Sequence, residues 1–346
     1  MAEPVPPYRA GWSAPLCTET ERSDLMTKVI PTANGLIRPG DLGRTLVHEH
    51  VFVLGEEYRN NYQLDWDEEE KVREAVRDLR ELKSLGIDTI LDPTVLGLGR
   101  YIPRIQRIAE QIDLNIVVAT GLYTFNDIPH QFHYQGPGLM FDRPEPLTEL
   151  FVKDLTTGIA DTGVRAGLLK CAIDEPGLTP GVERAMRAVG QASVETGAPI
   201  TVHTNAATRS GLVAQAVLEK EGVDLSKVIV GHSGDSDDLD YLTRLAERGS
   251  LLGMDRFGLD PFLPFARRVD VIAELVRRGF VESLVVSHDA SCFIDFCDPT
   301  AKREMLPNWN YRHISEDVLP ALRERGLSEQ DIDTILVANP RRYLAG

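Results

Sequence analysis

Cysteine is scarce in this chain of 346 residues. There are four, Cys17, Cys171, Cys292 and Cys297, and no two of them form a C-x-x-C pair. Their scarcity excludes a disulfide-stapled scaffold and the usual zinc-ribbon spacings, and it fits a reducing compartment, with the cytoplasm as the expected location. Long apolar runs are missing as well, and none approaches the ~20 residues that a bilayer-crossing helix needs. The opening stretch MAEPVPPYRAGWSAPLCTETERSD holds prolines and charges but no apolar core, so residues 1–28 are expected to be a mobile tail rather than a secretory signal. Positive charge is in deficit, with 37 Lys and Arg against 53 Asp and Glu and a formal net charge of −16. No basic stripe offsets it, which argues against nucleic acid and anionic membrane as partners. No G-x-G-x-x-G follows any strand-like run, so a dinucleotide fold lacks its usual signature.

The chain does have the composition of a folded globular protein, 42% hydrophobic and 26% charged. From Thr45 onward, eight short β-branched runs recur: TLVHEH (45–50), DTILDP (88–93), NIVVAT (115–120), RAGLLK (165–170), PITVH (199–203), KVIVGH (227–232), SLLGMD (250–255) and SLVVSHD (283–289). Amphipathic stretches separate them. In EEEKVREAVRDLRELKSLG (68–86), Val72, Val76, Leu79, Leu82 and Leu85 recur at three- and four-residue spacing and Gly86 supplies the stop. Residues 179–197 and 237–249 read the same way. Strands alternating with helices pair in parallel through crossovers, and eight such units predict an α/β fold, a (β/α)8 TIM barrel, as a single catalytic domain over residues 29–346.

In such a barrel the chemistry collects at the carboxyl ends of the strands. The first run carries His48 and His50, which alternation puts on one face. The fourth ends on Lys170, the fifth on His203, the sixth on His232 and the eighth on Asp289. Imidazole nitrogen and carboxylate oxygen suit zinc and similar divalent ions, and more than four such groups point to two ions rather than one. A lysine ammonium beside two dications would be repelled, so Lys170 is either a neutral amine or converted to an anion. Charge balance favours the anion, because a carbamate on Lys170, Asp289 and a bridging hydroxide together nearly neutralise two dications. By the same alternation Glu49 and His288 point away from the centre, and Glu49 then needs buried donors. His130, His133 and His313 lie in loop or helix-start contexts and are expected not to be ligands.

With these residues in place, the ordered set DLGRTLVHEHVF, TVHTNA, VGHSGD, VSHD and NPRRYL resembles the amidohydrolase superfamily, specifically its phosphotriesterase branch, over about residues 30 to 346. Two further stretches resemble the phosphotriesterase-like lactonases: ATGLYTFNDIP, with Tyr123 after the third strand, and GMDRFGLD, with Arg256 after the seventh. The resemblance implies a binuclear centre with His48, His50 and Asp289 on the buried ion and His203 and His232 on the exposed one, both bridged by carboxylated Lys170 and a hydroxide. Zinc is expected, with cobalt, manganese or iron also compatible with the donors. It further implies a hydrolase that opens lactones with apolar tails, such as N-acyl homoserine lactones, with weak phosphotriesterase activity. The alternatives are a dedicated organophosphate triester hydrolase or a hydrolase of another ester or amide. Asp289, Tyr123 and Arg256 are the catalytic candidates, although Arg256 serves equally well as a loop-fixing salt bridge. Family members of this kind form homodimers, so two chains are expected to associate.

The stretch after the eighth strand, residues 290–311, is long enough to overhang the site. Its Phe293, Ile294, Phe296, Met305 and Trp309 either line an apolar channel or form the stretch's own small core. Cys292 and Cys297 fall in the same segment and read as packed thiols.

Overall fold

The computed structural model describes residues 28–62 and 66–346, so the expected N-terminal tail lies outside the described residues apart from Lys28. Eight parallel strands form one sheet in sequence order: β1 Thr45–Leu46, β2 Thr89–Asp92, β3 Asn115–Gly121, β4 Leu168–Ile173, β5 Ile200–Thr204, β6 Val228–Val230, β7 Leu251–Met254 and β8 Leu284–Val286. The two ends of the sheet meet where the Val47 amide faces the Val286 carbonyl at 3.5 Å, and this closes the barrel. Every crossover carries a helix: α1 Glu68–Ser84, α2 Ile102–Ala109, α3 Pro146–Thr156, α4 Pro180–Thr196, α5 Ser210–Lys220, α6 Leu239–Glu247 and α7 Phe265–Arg277. This is the TIM-barrel architecture expected from the alternating pattern.

The helices begin and end where side-chain chemistry dictates. The Asp67 carboxylate accepts from the Glu70 amide at the start of α1, acidic residues fill its first turn, and Gly86 follows its end at φ +89°. Val72, Val76, Leu79 and Leu82 bury against the barrel, each contributing about 1.5–3 kcal/mol, while Leu85 caps the helix and is half-buried. Thr179 caps α4, which stops at Gly197 with φ +76°.

Inside the barrel, Val47, Leu91, Val117, Leu168, Ile229, Leu251 and Val285 form a second apolar cluster below the site. Tyr343, from the closing NPRRYL, reaches this cluster and lies 3.0 Å from the Thr201 hydroxyl.

Two departures from the expected strands matter for the site. The fourth strand runs 168–173 rather than 165–170, because Cys171, Ala172 and Ile173 continue in register with Val202, His203 and Thr204 of β5. Lys170 is therefore mid-strand, and its long side chain covers the remaining height. The first run is also not one continuous strand. After β1 the chain turns outward, and His50–Val53 pairs in parallel with Ser291–Ile294, beyond β8. That added pair ties the first and last strands together above the barrel rim.

Candidate active site

His48, His50, Lys170, His203, His232 and Asp289 converge at the carboxyl end of the barrel. His48 Nε2 lies 3.2 Å from Lys170 Nζ and 3.4 Å from Asp289 Oδ1, and His50 Nε2 is 3.3 Å from the same oxygen. His203 Nδ1 faces His232 Nε2 at 2.8 Å, and His232 Nε2 is 4.0 Å from Asp289 Oδ2. His232 and Asp289 both adopt left-handed backbone, φ +61° and +54°. Non-glycine residues seldom sit there, and such strain concentrates at functional positions.

Each imidazole is held from behind. His48 Nδ1 and His232 Nδ1 donate to the two oxygens of the same carboxylate, Asp255, at 2.8 and 3.0 Å, and Asp255 also accepts from the His232 amide at 2.7 Å. His203 Nε2 donates to Asp174 at 2.5 Å. His50 Nδ1 donates to the Thr94 hydroxyl at 2.7 Å, and that hydroxyl in turn donates to Asp92 at 2.5 Å. These partners fix the tautomers and leave the inner nitrogen of every ring as a lone pair aimed at the centre.

The electrostatics of the centre follow from burial. Desolvation holds His203 at about 4, against Asp174's opposing pull, and holds His232 well below its ordinary value. Burial lowers Lys170 to about 8 despite Asp289 and Asp255 nearby. Desolvation alone would raise Asp289, but His48, His50, His232 and Arg256 hold it well below the usual carboxylate range. His203 and His232 therefore present two acceptor lone pairs to each other across 2.8 Å. With their outer protons committed and their charged forms suppressed, a cation between them is what removes the repulsion. The His48, His50 and Asp289 atoms lie within 4.8 Å of one another and can hold an ion of their own. The donor set fits divalent metal.

The remaining candidates also line the site. The Tyr123 hydroxyl is 3.4 Å from His203 Nδ1, and burial, helped by Asp289, raises its pKa. Arg256 Nε donates to Asp289 at 3.0 Å and its guanidinium reaches Asp235 at 3.1 Å, so the loop-fixing salt bridge exists; the side chain also lines the cavity. A cavity of about 480 Å³ opens above the centre. Its upper walls are apolar, with Ile294, Phe296 and Trp309 among them. Phe293 does not line it but packs on Phe52 and Trp66, and Met305 is exposed. The overhanging segment thus divides between channel wall and its own packing. Cys297 lines the cavity, whereas Cys292 packs its sulfur 3.5 Å from the Tyr311 hydroxyl.

Glu49 and His288 are not among the converging groups and pair with each other instead, although both lie outside the strands, so strand alternation is not what orients them. His130 and His133 lie against each other, tilted, across a short 3-10 turn and His313 pairs with Asp317, so none of the three is among the converging groups. Reading strand ends for ligands passed over Asp255, Asp174, Asp92 and Thr94. Asp255 was accessible to the same rule, since it closes the seventh run, and Asp92 lies in the second. Asp174 was hidden because the fourth strand is longer than its β-branched pattern.

Neutral imidazole acceptors around an anionic carboxylate, at the mouth of a barrel, are what a metal-dependent hydrolase requires, and fold and donor set place the chain in that class. The family model that matches it, over residues 28–344, is that of the phosphotriesterase family, and the chain belongs to this family. It is similar to a phosphotriesterase homology protein of Mycobacterium tuberculosis, 54% identical over 312 residues covering 90% of this chain and 96% of that protein. An aryldialkylphosphatase of Saccharolobus solfataricus is 37% identical over 311 residues, covering 89% and 97%. The solved structure of the phosphotriesterase from Mycobacterium tuberculosis superposes with a TM-score of 0.90 at 53% identity, covering 92% of this chain and 98% of that one.

Proposed function

We propose that this phosphotriesterase-family hydrolase opens lactone rings that carry apolar tails, N-acyl homoserine lactones among them, and hydrolyses phosphotriesters weakly, with residues 29–346 acting as one catalytic domain. The observation that carries this reading is the cavity: a polar floor at one end, where Asp289, Arg256 and the imidazoles meet, continues into apolar walls suited to an acyl chain.

His48, His50 and Asp289 would hold one divalent ion and His203 and His232 a second, with zinc favoured, and Lys170 as a carbamate would join them. Bound there, the ions would supply an acidified water and a Lewis acid for the carbonyl. A carbamate suits the Lys170 position because it replaces a repelled cation by an anion: the ammonium gives up one proton to become the amine, and the amine releases a second as its nitrogen adds carbon dioxide. Asp289 takes the proton of the attacking water and returns it to the leaving alkoxide. Arg256 keeps Asp289 anionic and oriented between turnovers; a guanidinium stays protonated, so it holds the carboxylate rather than relaying its proton. Tyr123 donates to the carbonyl oxygen as charge builds on it.

Phosphotriester hydrolysis is the second reading, favoured by the similarity to the aryldialkylphosphatase. Comparing kcat/KM for a decanoyl homoserine lactone and for paraoxon, on a preparation of measured metal content, separates the two. A higher value for the lactone supports the first reading, and a higher value for paraoxon replaces it. Association of two chains belongs to the same reading: Met140 and Phe141 are 78% and 57% exposed on one loop, an apolar surface that a symmetric partner would cover. The cytoplasm is the proposed location. Among the described residues no helix is long and apolar enough to cross a membrane.

A further inference from the structure

Arg268 stands in the first turn of α7, is 1% exposed, and lies outside the cavity. A cation at the start of a helix sits at the unfavourable end of the macrodipole, and a buried guanidinium costs free energy unless it is fully paired. Its pairing explains why it is there. Nε donates to the Leu263 carbonyl at 2.8 Å, one terminal nitrogen to the Gly234 carbonyl at 2.7 Å, and the other to the Leu259 carbonyl at 3.1 Å and to Asp235 Oδ1 at 2.7 Å. One planar fork thus ties the loop after β7 to the loop after β6.

Both loops lead to the site. Leu259 and Phe262 form part of the cavity wall, and the Phe262 ring lies 5.2 Å from the Arg256 guanidinium. Asp235, held by Arg268 on one oxygen, holds Arg256 with the other, and Arg256 holds Asp289. The amides of Leu259 and Phe262 bond only within the loop, to the Arg256 and Leu259 carbonyls. Two side chains clamp this loop to the sixth-strand loop, Arg256 at its start and Arg268 from the helix that follows, and Arg268 is the one that also holds the Leu259 and Leu263 carbonyls.

We infer that Arg268 is a positioning residue for substrate selectivity: by fixing the 256–264 loop it sets the wall against which an apolar tail packs. The selectivity half of this inference rests on the lactone reading above; the loop-fixing half does not.

The test uses metal-loaded Arg268→Lys, which keeps the charge but loses the fork, and Arg268→Gln as a second variant that retains an amide donor. Hydrogen exchange over residues 256–264 is expected to accelerate while strand 251–254 keeps its protection. The ratio of kcat/KM for decanoyl over butanoyl homoserine lactone is expected to fall by ~10-fold, through KM of the long chain. Leu259→Ala should reproduce the lost ratio, and combining it with Arg268→Lys should add little, as for residues acting as one unit. Unchanged exchange, or equal losses with both lactones, would overturn the inference. A wild-type enzyme that opens neither lactone would instead overturn the lactone reading, and hydrogen exchange would still decide whether Arg268 fixes the loop.

Discussion

The carboxylate of Glu49 accepts a hydrogen bond from Nδ1 of His288 at 2.7 Å, with both residues wholly buried on the far side of the strands from the candidate metal centre. The same carboxylate accepts from the Ser287 hydroxyl and from the amides of His288 and Ala290, at 2.8–3.0 Å. Nε2 of His288 then accepts from the Ile314 amide at 3.0 Å. Glu49 thereby grips the backbone on either side of Asp289, and this grip holds Asp289 in its left-handed conformation.

Glu49→Gln should therefore cost about 1–3 kcal/mol of stability, because an amide nitrogen would face donors that now meet an oxygen. Urea unfolding checks it, and an unchanged midpoint would remove Glu49 from this role.

Asp289→Asn should leave the fold intact but lower kcat by at least ~10²-fold, since the amide cannot take the proton of the attacking water. Turnover close to normal in a variant of normal melting temperature would assign the proton to another group.

Asp255 does not line the cavity above the centre, yet it fixes the tautomers of both His48 and His232. Asp255→Asn is expected to weaken metal retention by ~10–100-fold, read by competition with a chelator of known affinity. Retention equal to wild type would show that the imidazoles hold their orientation without it.

Tyr123→Phe should reduce kcat for lactones by ~10²-fold or more if its hydroxyl meets the carbonyl oxygen as charge develops. An effect confined to KM would reassign the tyrosine to substrate packing.

Removal of metal by a chelator should abolish turnover and lower the melting temperature together, because ions bound only by the folded state stabilise it by mass action. About two ions per chain are expected by elemental analysis of active protein, and restored zinc, cobalt or manganese should recover both properties. Full activity in a metal-stripped sample would contradict the assignment of the centre.

The amino-acid sequence by itself determined the eight-unit alternation and the places of His48, His50, His203, His232 and Asp289 at or just past the strand-forming runs. Each of these depends on period-two and helical periodicities or on the order of elements, which are local properties of the chain. Tertiary structure decided the rest. The extent of β4 past Lys170 was set by pairing with β5, and the split of the first run by pairing with Ser291–Ile294. Asp255 acquired its place behind two histidines because strands distant in sequence meet at the barrel mouth. Arg268 and Asp235 likewise belong to separate crossovers whose partnership no local pattern encodes. Hydrogen bonds between strand ends and loops depend on which segments become neighbours, and that is decided by strand pairing together with the closure of the barrel.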